Sequence, residues 1–249
     1  MYPTREIAMT EENFYFVEKF KGWAVTENGN VEDWTEANIG RASKDRTFYP
    51  VFEKVSVYDN VITDMSWFNF RAANGQLTMA KSGLSGKITL PAQFEGQDIL
   101  RFSGVGILQE GVTHIFWERG SKVNTFISSA FSNSAYPNLR YVEIPNYNFT
   151  VLDSAFSGCK KLFQDPGITQ AILDDFFGKI TKFGSQVFAG TAENFASEGF
   201  LANKELRLSG DVVQLGSGVF AQTLVRSVRM GDVDDPFTLD PNQWGTGIF

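Results

Sequence analysis

The side chains that could support catalysis or bind a metal are few in this 249-residue chain. His114 is the only histidine, so a Ser-His-Asp triad would have to use it, and imidazoles alone cannot build a metal centre. In the stretch VTHIFW, alternation places His114 on the outward face of a strand, which favours a surface histidine. Cys159 is the only cysteine and lies in the corner SGC, so we expect a buried small side chain rather than a reactive thiol.

Carboxylates are the remaining candidates for chemistry. Asp174 and Asp175 are adjacent, and the stretch GDVDDPFTLD contains Asp232, Asp234 and Asp235. A glycosidase needs two carboxyl groups that face each other across a cleft at about 5–9 Å, which sequence neighbours seldom provide. The second stretch also lacks the ligand spacing and closing Glu of a regular calcium loop. We therefore expect solvated loop charges here, with no catalytic residue, no cofactor and no metal.

Charge and hydropathy narrow the classes of partner. The net charge of −7 and scattered basic residues argue against a nucleic-acid partner, because phosphate binding needs clustered Lys and Arg. No apolar stretch approaches about 20 residues, which predicts no membrane insertion. The first residues, MYPTREIAMTEENF, lack the basic start and apolar run of a secretory signal. This favours a protein made inside a cell, virion proteins included, and leaves open a fragment of a bacterial surface protein.

Four related stretches are centred on phenylalanine: SAFSNSAYPNL, SAFSGCKKL, QVFAGTAENF and GVFAQTLV. Their central residues, Phe131, Phe156, Phe188 and Phe220, are 25, 32 and 32 residues apart. Self-similarity at this period is typical of solenoids, in which no repeat can bury its apolar face alone. We therefore predict that these four rings form a column in the core.

Each phenylalanine corner is accompanied by a short alternating strand, in VTHIFW, LRYVEIP, KELRL and VRSVRM. This register points Leu139, Val142 and Ile144 inward. The residues that it points outward form two rows, His114, Tyr141, Glu205 and Ser227, and Phe116, Glu143, Arg207 and Arg229. We predict a binding strip here with Phe116 and Tyr141 as anchors, since large aromatic side chains dominate contact energies. Alternatively, another domain, a neighbouring subunit or solvent covers this face.

Two families resemble parts of the chain. The pattern LxxVxIP followed by SAFSGCxxL is similar to the BspA-type leucine-rich repeat over about residues 84–235, most closely in YVEIPNYNFTVLDSAFSGCKKL. Residues 163–179 stretch the repeat, and we expect a short helix there at Thr169–Phe177. About residues 10–57 resemble the Listeria–Bacteroides repeat, the internalin B-type repeat. The residues that carry this second resemblance are Phe20, Gly22, Trp23, Asn28, Gly29, Asp45, Thr47, Phe48, Tyr49, Val51, Phe52 and Glu53.

The resemblances imply a mainly β fold with short helices. A β-grasp-like module would occupy residues 1–60, and a leucine-rich-repeat solenoid with lead-in strands and an uncapped C-terminal end would occupy residues 61–249. We expect the two parts to pack together, because no Pro- or Gly-rich linker separates them. Trp244, Ile248 and Phe249 would lie at the open end of the solenoid, which needs cover, so we expect a homo-oligomer.

Both resembled families imply attachment rather than catalysis. We expect a non-enzymatic attachment or structural protein in a virion, as part of a tail, fibre or capsid decoration, whose partners are other protein subunits, a host-surface receptor or a glycan. The alternative is a fragment of a bacterial cell-surface adhesin that binds host protein or glycan. A polysaccharide-degrading enzyme that uses acidic residues is a remote alternative.

Overall fold

The computed structural model describes residues 10–31, 47–191, 206–223 and 228–231. These residues are mainly β, with strands stacked as in a β-solenoid and one α-helix, α1 (Gln170–Gly178). The strands, in chain order, are β1 (Phe16–Ala24), β2 (Tyr49–Ser56), β3 (Phe68–Arg71), β4 (Gln76–Met79), β5 (Ser85–Leu90), β6 (Gln93–Phe94), β7 (Gln97–Asp98), β8 (Arg101–Ser103), β9 (Gly111–Trp117), β10 (Thr125–Phe126), β11 (Tyr141–Val142), β12 (Phe149–Val151), β13 (Ile180–Phe183), β14 (Leu206–Leu208), β15 (Gln214–Leu215) and β16 (Val228–Met230). Short 3-10 turns lie at Glu11–Asn13, Val57–Asp59, Met65–Trp67 and Ala72–Asn74.

Three successive coils pass through a strand of a three-stranded sheet, then through a strand of a seven-stranded sheet, and then through a turn, whereas in the next coil α1 takes the place of the first strand. The three-stranded sheet has the order β11-β9-β5, and the seven-stranded sheet has the order β15-β13-β12-β10-β8-β4-β3. Within the seven-stranded sheet the strands are parallel except for the pair β3 and β4. The chain runs from β9 to β10, turns at Phe131, and starts the next coil with β11. Backbone hydrogen bonds along the seven-stranded sheet therefore join successive coils, and those along the three-stranded sheet join the coils that contain β5, β9 and β11.

On the third side of the stack, the turns of neighbouring coils are joined by backbone hydrogen bonds. The backbone N–H of Phe131 donates to the carbonyl oxygen of Ala155 at 2.8 Å, and that of Phe156 donates to Val187 at 2.9 Å. In each of the four repeats the residue two positions before the phenylalanine has a left-handed backbone. These residues are Ser129, Ser154, Gln186 and Gly218, with φ of 58°, 56°, 55° and 62°. This sharp reversal directs the following phenylalanine into the core.

The four repeated phenylalanines are stacked in one column. Ring centroids are 5.2 Å apart for Phe131 and Phe156, 5.4 Å for Phe156 and Phe188, and 5.5 Å for Phe188 and Phe220, with planes 11°, 2° and 7° from parallel. Phe102 continues the column, 5.2 Å from Phe131. All five rings are buried. The four side chains predicted to form a column therefore occupy equivalent positions in successive coils.

The seven-stranded sheet supplies the other wall of the core. Its inner row consists of apolar residues in register on six neighbouring strands, all buried: Leu77, Phe102, Phe126, Val151, Phe183 and Leu215. Helix α1 packs against β13 and β14 and buries Phe176 and Phe177 beside the column. Its N-cap is Thr169, whose hydroxyl accepts the N–H of Ile172. The predicted helix is thereby confirmed to within one residue at each end.

The N-terminal residues pack directly on the stack. Strands β1 and β2 form an antiparallel hairpin with a bulge between Phe20 and Gly22. On either side of the hairpin, Phe14 and Val57 belong to the same buried core as the stacked coils. Val61 also bridges to Thr89 of β5. Residues on both sides of the hairpin therefore pack against the stacked coils, as expected from the absence of a linker.

Candidate binding surface

The outward strip predicted from the strands is covered over much of its length. His114, Phe116 and Tyr141 are buried, so the prediction that they form an exposed binding surface is wrong. The reason is Phe14, which packs on the outer face of the three-stranded sheet. Its ring makes edge contacts with Tyr141 at 5.0 Å, with His114 at 5.6 Å and with Phe116 at 6.0 Å. Alternation identified the face, but not the segment that covers it.

Lys87 of β5 holds this covering segment in place. Its Nζ donates to the carbonyl oxygens of Asn13, Phe14 and Phe16, at 2.7, 2.7 and 3.1 Å. Burial lowers the pKa of Lys87 to about 8. The lysine thus satisfies three backbone acceptors where the segment crosses the sheet, and we name residues 10–16 the strap.

His114 belongs to a buried histidine–carboxylate pair under the strap. Its Nε2 lies 2.9 Å from Oδ2 of Asp165, and both side chains are wholly buried. The contact lacks the alignment of a hydrogen bond, whereas the other carboxylate oxygen of Asp165 accepts the N–H of Gly167 at 2.8 Å. Burial lowers the pKa of His114, which favours the neutral imidazole near neutral pH. The pKa of Asp165 is also lowered, because its contacts with His114 and Gly167 outweigh burial, which alone would raise it.

The hydroxyl of Thr113 lies 3.0 Å from Nδ1 of His114. Carboxylate, imidazole and hydroxyl therefore follow one another as in a hydrolase triad. However, the imidazole and the carboxylate are inaccessible to solvent, so a substrate could not reach them. The geometry favours a structural site that joins β9 to the loop before α1.

Glu143 is also structural rather than an exposed binding residue. Its Oε1 accepts the hydroxyl of Tyr58 at 2.7 Å, and its Oε2 accepts the backbone N–H of Trp117 at 3.0 Å. The indole N–H of Trp117 donates to the carbonyl oxygen of Glu143 at 3.2 Å. Burial raises the pKa of Glu143 and of Tyr58. The prediction that Glu143 belongs to an exposed binding surface is therefore wrong. The reason is the same as for His114, because residues from the N-terminal part of the chain, here Tyr58, cover this face of the sheet.

Two residues of the predicted strip remain exposed. Arg207 and Arg229 are register partners on the parallel strands β14 and β16. Arg207 Nη1 lies 3.5 Å from Oδ2 of Asp174, and Asp175 pairs with Lys179 at 2.6 Å on α1. Other residues singled out in the sequence lie outside the described residues, namely Asp45, Glu205, Ser227, Asp232, Asp234, Asp235, Trp244, Ile248 and Phe249.

A second surface, which the sequence analysis did not identify, lies on the outer face of the seven-stranded sheet. One outward residue from each strand is in register with the next, and all seven are at least partly exposed. We name this set the polar row: Arg71, Gln76, Arg101, Thr125, Thr150, Lys182 and Gln214. With about 4.8 Å between strands, the row spans about 29 Å.

The polar row is basic in a chain that is acidic overall. It holds three cations and no carboxylate, whereas the whole chain has a net charge of −7. Among the described residues, Arg71, Arg101 and Lys182 take part in no ion pair. Acidic residues near the strand ends are already engaged, since Asp98 pairs with Lys122 and Asp153 accepts the N–H of Ser185. Within the described part of the chain, the three cations are therefore without an ion-pair partner.

A repeat signal in the sequence does locate part of this row. Strands β8, β10, β12 and β15 have only two or three residues, too few for alternation to be recognised. Relative to the repeated phenylalanines, however, the outward residue always lies six positions earlier and the buried one five positions earlier. The outward residues found in this way are Thr125, Thr150, Lys182 and Gln214.

The other reactive side chain is buried. Cys159 is shielded from solvent, its Sγ donates to the carbonyl oxygen of Phe131, and burial raises its pKa to about 12. Within the described residues, no three His, Cys, Asp or Glu side chains lie close enough to hold a metal ion. No helix in the same part of the chain has the length and apolar character needed to cross a bilayer.

Compared with known proteins, the chain matches no family model, no curated protein and no solved structure.

Proposed function

We propose that this protein is a non-enzymatic attachment or structural protein that binds its partner through the polar row. The observation that carries the proposal is the row itself, in which seven polar side chains are held in register on a continuous sheet. Backbone hydrogen bonds between coils fix the spacing of these side chains. A pre-organised surface loses little conformational entropy on binding, so an extended partner can contact many strands at once.

For the finer description of the fold, we propose a BspA-type leucine-rich-repeat solenoid that follows a β-grasp-like module. The stacked coils and the phenylalanine column support the solenoid. The antiparallel hairpin of β1 and β2 supports the N-terminal module.

The setting that we propose is a virion, in a tail, fibre or capsid decoration, with other subunits and copies of this chain as partners. The support for this setting is the pair of resemblances in the sequence, since both families are typical of attachment proteins. The second candidate is a fragment of a bacterial surface adhesin, which the same binding surface would also suit.

Localisation and binding test the proposal together. Mass spectrometry and immunogold labelling would be applied to purified virus particles and to cell-surface fractions of the source. Presence in particles supports the virion protein, presence on the cell surface supports the adhesin, and absence from both overturns attachment.

Binding of the full chain to the same particles or cells tests the surface. Binding should weaken in the Arg101→Gln/Lys182→Gln variant and persist in Lys19→Gln/Lys21→Gln, which removes two exposed charges from β1. Equal binding by both variants would remove the polar row from the proposal.

The remote enzymatic alternative has its own test. Asp174 accepts the side-chain N–H of Gln170 at 2.7 Å and Asp175 pairs with Lys179, so both carboxylates are engaged on α1. We expect no turnover on a panel of cell-wall and capsular glycans. Turnover that is lost in Asp174→Asn or Asp175→Asn would replace attachment with catalysis.

A further inference from the structure

We infer that the polar row binds an acidic polysaccharide in which carboxylate-bearing units are separated by neutral sugar units. The inference rests on the proposed function, because it names the class of ligand for the same surface. Three properties of the row carry it: the sign of its charge, the spacing of its cations, and the chemistry of the residues between them.

The sign of the charge selects an anionic ligand. Arg71, Arg101 and Lys182 lie on one face, and none of them is neutralised by an ion pair within the described residues. The remaining surface must carry the excess of carboxylates, because the chain has 29 acidic and 22 basic residues. A neutral ligand would gain nothing from this separation of charge. Arginine also binds a carboxylate through two parallel hydrogen bonds, which adds geometric specificity.

The spacing of the cations selects a ligand with sparse charge. Arg71 and Arg101 are two strands apart, or about 10 Å, and Arg101 and Lys182 are three strands apart, or about 14 Å. A nucleic acid or a polyphosphate carries a charge on every unit. Such a polymer would place most of its charges against uncharged side chains. A polymer with anionic units at intervals fits this surface better.

The residues between the cations select hydroxyl-rich units. Gln76 lies between the two arginines, and Thr125 and Thr150 lie between Arg101 and Lys182. Threonine hydroxyls and glutamine amides both donate and accept hydrogen bonds, as sugar hydroxyls do. Neutral sugar units can therefore be hydrogen-bonded where the row has no charge. The row thus has one neutral position between its first two cations and two neutral positions before the third, which suits a chain whose carboxylates are separated by neutral sugars.

Titration calorimetry of the full chain with four polymers tests the inference at low salt. Hyaluronan has alternating carboxylated and neutral sugars, dextran is neutral, dextran sulfate is densely charged, and polyglutamate is an acidic peptide. We expect hyaluronan to bind, dextran not to bind, and dextran sulfate and polyglutamate to bind more weakly than hyaluronan. Raising the salt concentration should weaken binding, because exposed charges are screened.

Matched variants locate the binding. Arg101→Gln/Lys182→Gln should lower the affinity for hyaluronan about tenfold, because two solvent-exposed charge contacts are lost. Thr125→Val/Thr150→Val should lower it without changing the charge, whereas Lys19→Gln/Lys21→Gln should leave it within about twofold. If the double charge variant does not fold, Lys182→Gln alone serves, because Lys182 is exposed. Melting temperatures equal to that of the unchanged chain show that folding is intact.

Several results would overturn the inference. Equal binding of dextran, or equal loss in the row variant and in the β1 variant, would show that the row does not select charge. Tighter binding of dextran sulfate would indicate charge density rather than spacing, and tighter binding of polyglutamate would indicate a peptide ligand. If none of the polymers binds but the row variant still loses binding to particles or cells, the ligand class is wrong and the proposed function stands. If the row variant loses neither polymer binding nor binding to particles or cells, both the ligand class and the proposed function are overturned.

Discussion

Phe156 and Phe188 lie face to face with ring centroids 5.4 Å apart and planes 2° from parallel, although 32 residues separate them in the sequence. The contact joins successive coils, and Phe131 and Phe220 extend it in both directions. A single coil could not bury its ring alone. The stack therefore gains stability from contacts between neighbours, as expected for a repeat architecture.

Removal of one ring from the column should be costly. Phe156→Ala is expected to lower the free energy of unfolding by about 3–5 kcal/mol, because it leaves a cavity between two stacked neighbours. Phe156→Leu should cost less, since it fills much of the volume. Urea denaturation would measure both values. Tyr147 is 74% exposed, so Tyr147→Ala provides a control with a change within about 0.5 kcal/mol. A similar loss in Phe156→Ala and in the control would mean that the column contributes little.

Acid should destabilise the protein through the buried pair of His114 and Asp165. Burial lowers the pKa of His114, and the nearby cations Lys87 and Arg140 lower it further, although Asp165 opposes them. The folded state therefore prefers the neutral imidazole. The stability that the protein gains from this neutral form is lost as the pH falls below the ordinary histidine pKa of about 6.5. The pKa of Asp165 is lowered too, so its stabilising effect is lost at still lower pH.

The measurement is urea denaturation at several values between about pH 7.5 and pH 5, where histidine is the side chain that ordinarily titrates. In His114→Gln the dependence on pH over this range should become flatter. Because His114 is the only histidine, no other imidazole contributes. An unchanged slope in the variant would assign the acid sensitivity to other groups.

Tyr58→Phe should weaken the contact between the N-terminal residues and the stack. The change removes the donor to Oε1 of Glu143 and leaves a part-buried carboxylate oxygen without that hydrogen bond. We expect a loss of about 1–3 kcal/mol in the free energy of unfolding. Hydrogen exchange should also increase at the strap if this contact holds it in place.

Tyr147→Phe is the matched control, because it removes the same hydroxyl from an exposed tyrosine. Its effect should lie within about 0.5 kcal/mol. If the two variants lose equal stability, the hydrogen bond from Tyr58 to Glu143 does not contribute significantly to the free energy of unfolding.

Two glycines should respond oppositely to the same change. A Cβ at Gly216 would collide with the backbone of Gly184 and Ser185 in the neighbouring coil, so Gly216→Ala is expected to cost more than about 2 kcal/mol. A Cβ at Gly178, the last residue of α1, would meet nothing. Gly178→Ala should therefore be neutral or stabilising by up to about 1 kcal/mol. Thermal melting of the two variants would compare them, and equal losses would contradict close approach of the coils at Gly216.

The sequence by itself determined the features that depend on local repetition. The spacing of the four phenylalanines predicted a column, because equivalent residues of stacked coils must coincide. The helix before β13 was predicted to within one residue at each end, and the structure shows that Thr169, a favoured N-cap residue, precedes its first turn. Alternation in VTHIFW assigned residues to the correct faces of β9 but could not assign their exposure.

Only the tertiary structure decided what covers each face. Phe14 is 100 positions before His114 in the chain, so no local pattern could show that it seals the outer face of the three-stranded sheet. The polar row likewise consists of residues from seven strands, several of them too short to leave a periodic signal. Burial and binding surfaces depend on contacts between distant segments. Packing therefore buries the aromatic residues of the predicted strip, whereas the polar row is at least partly exposed in the described part of the chain.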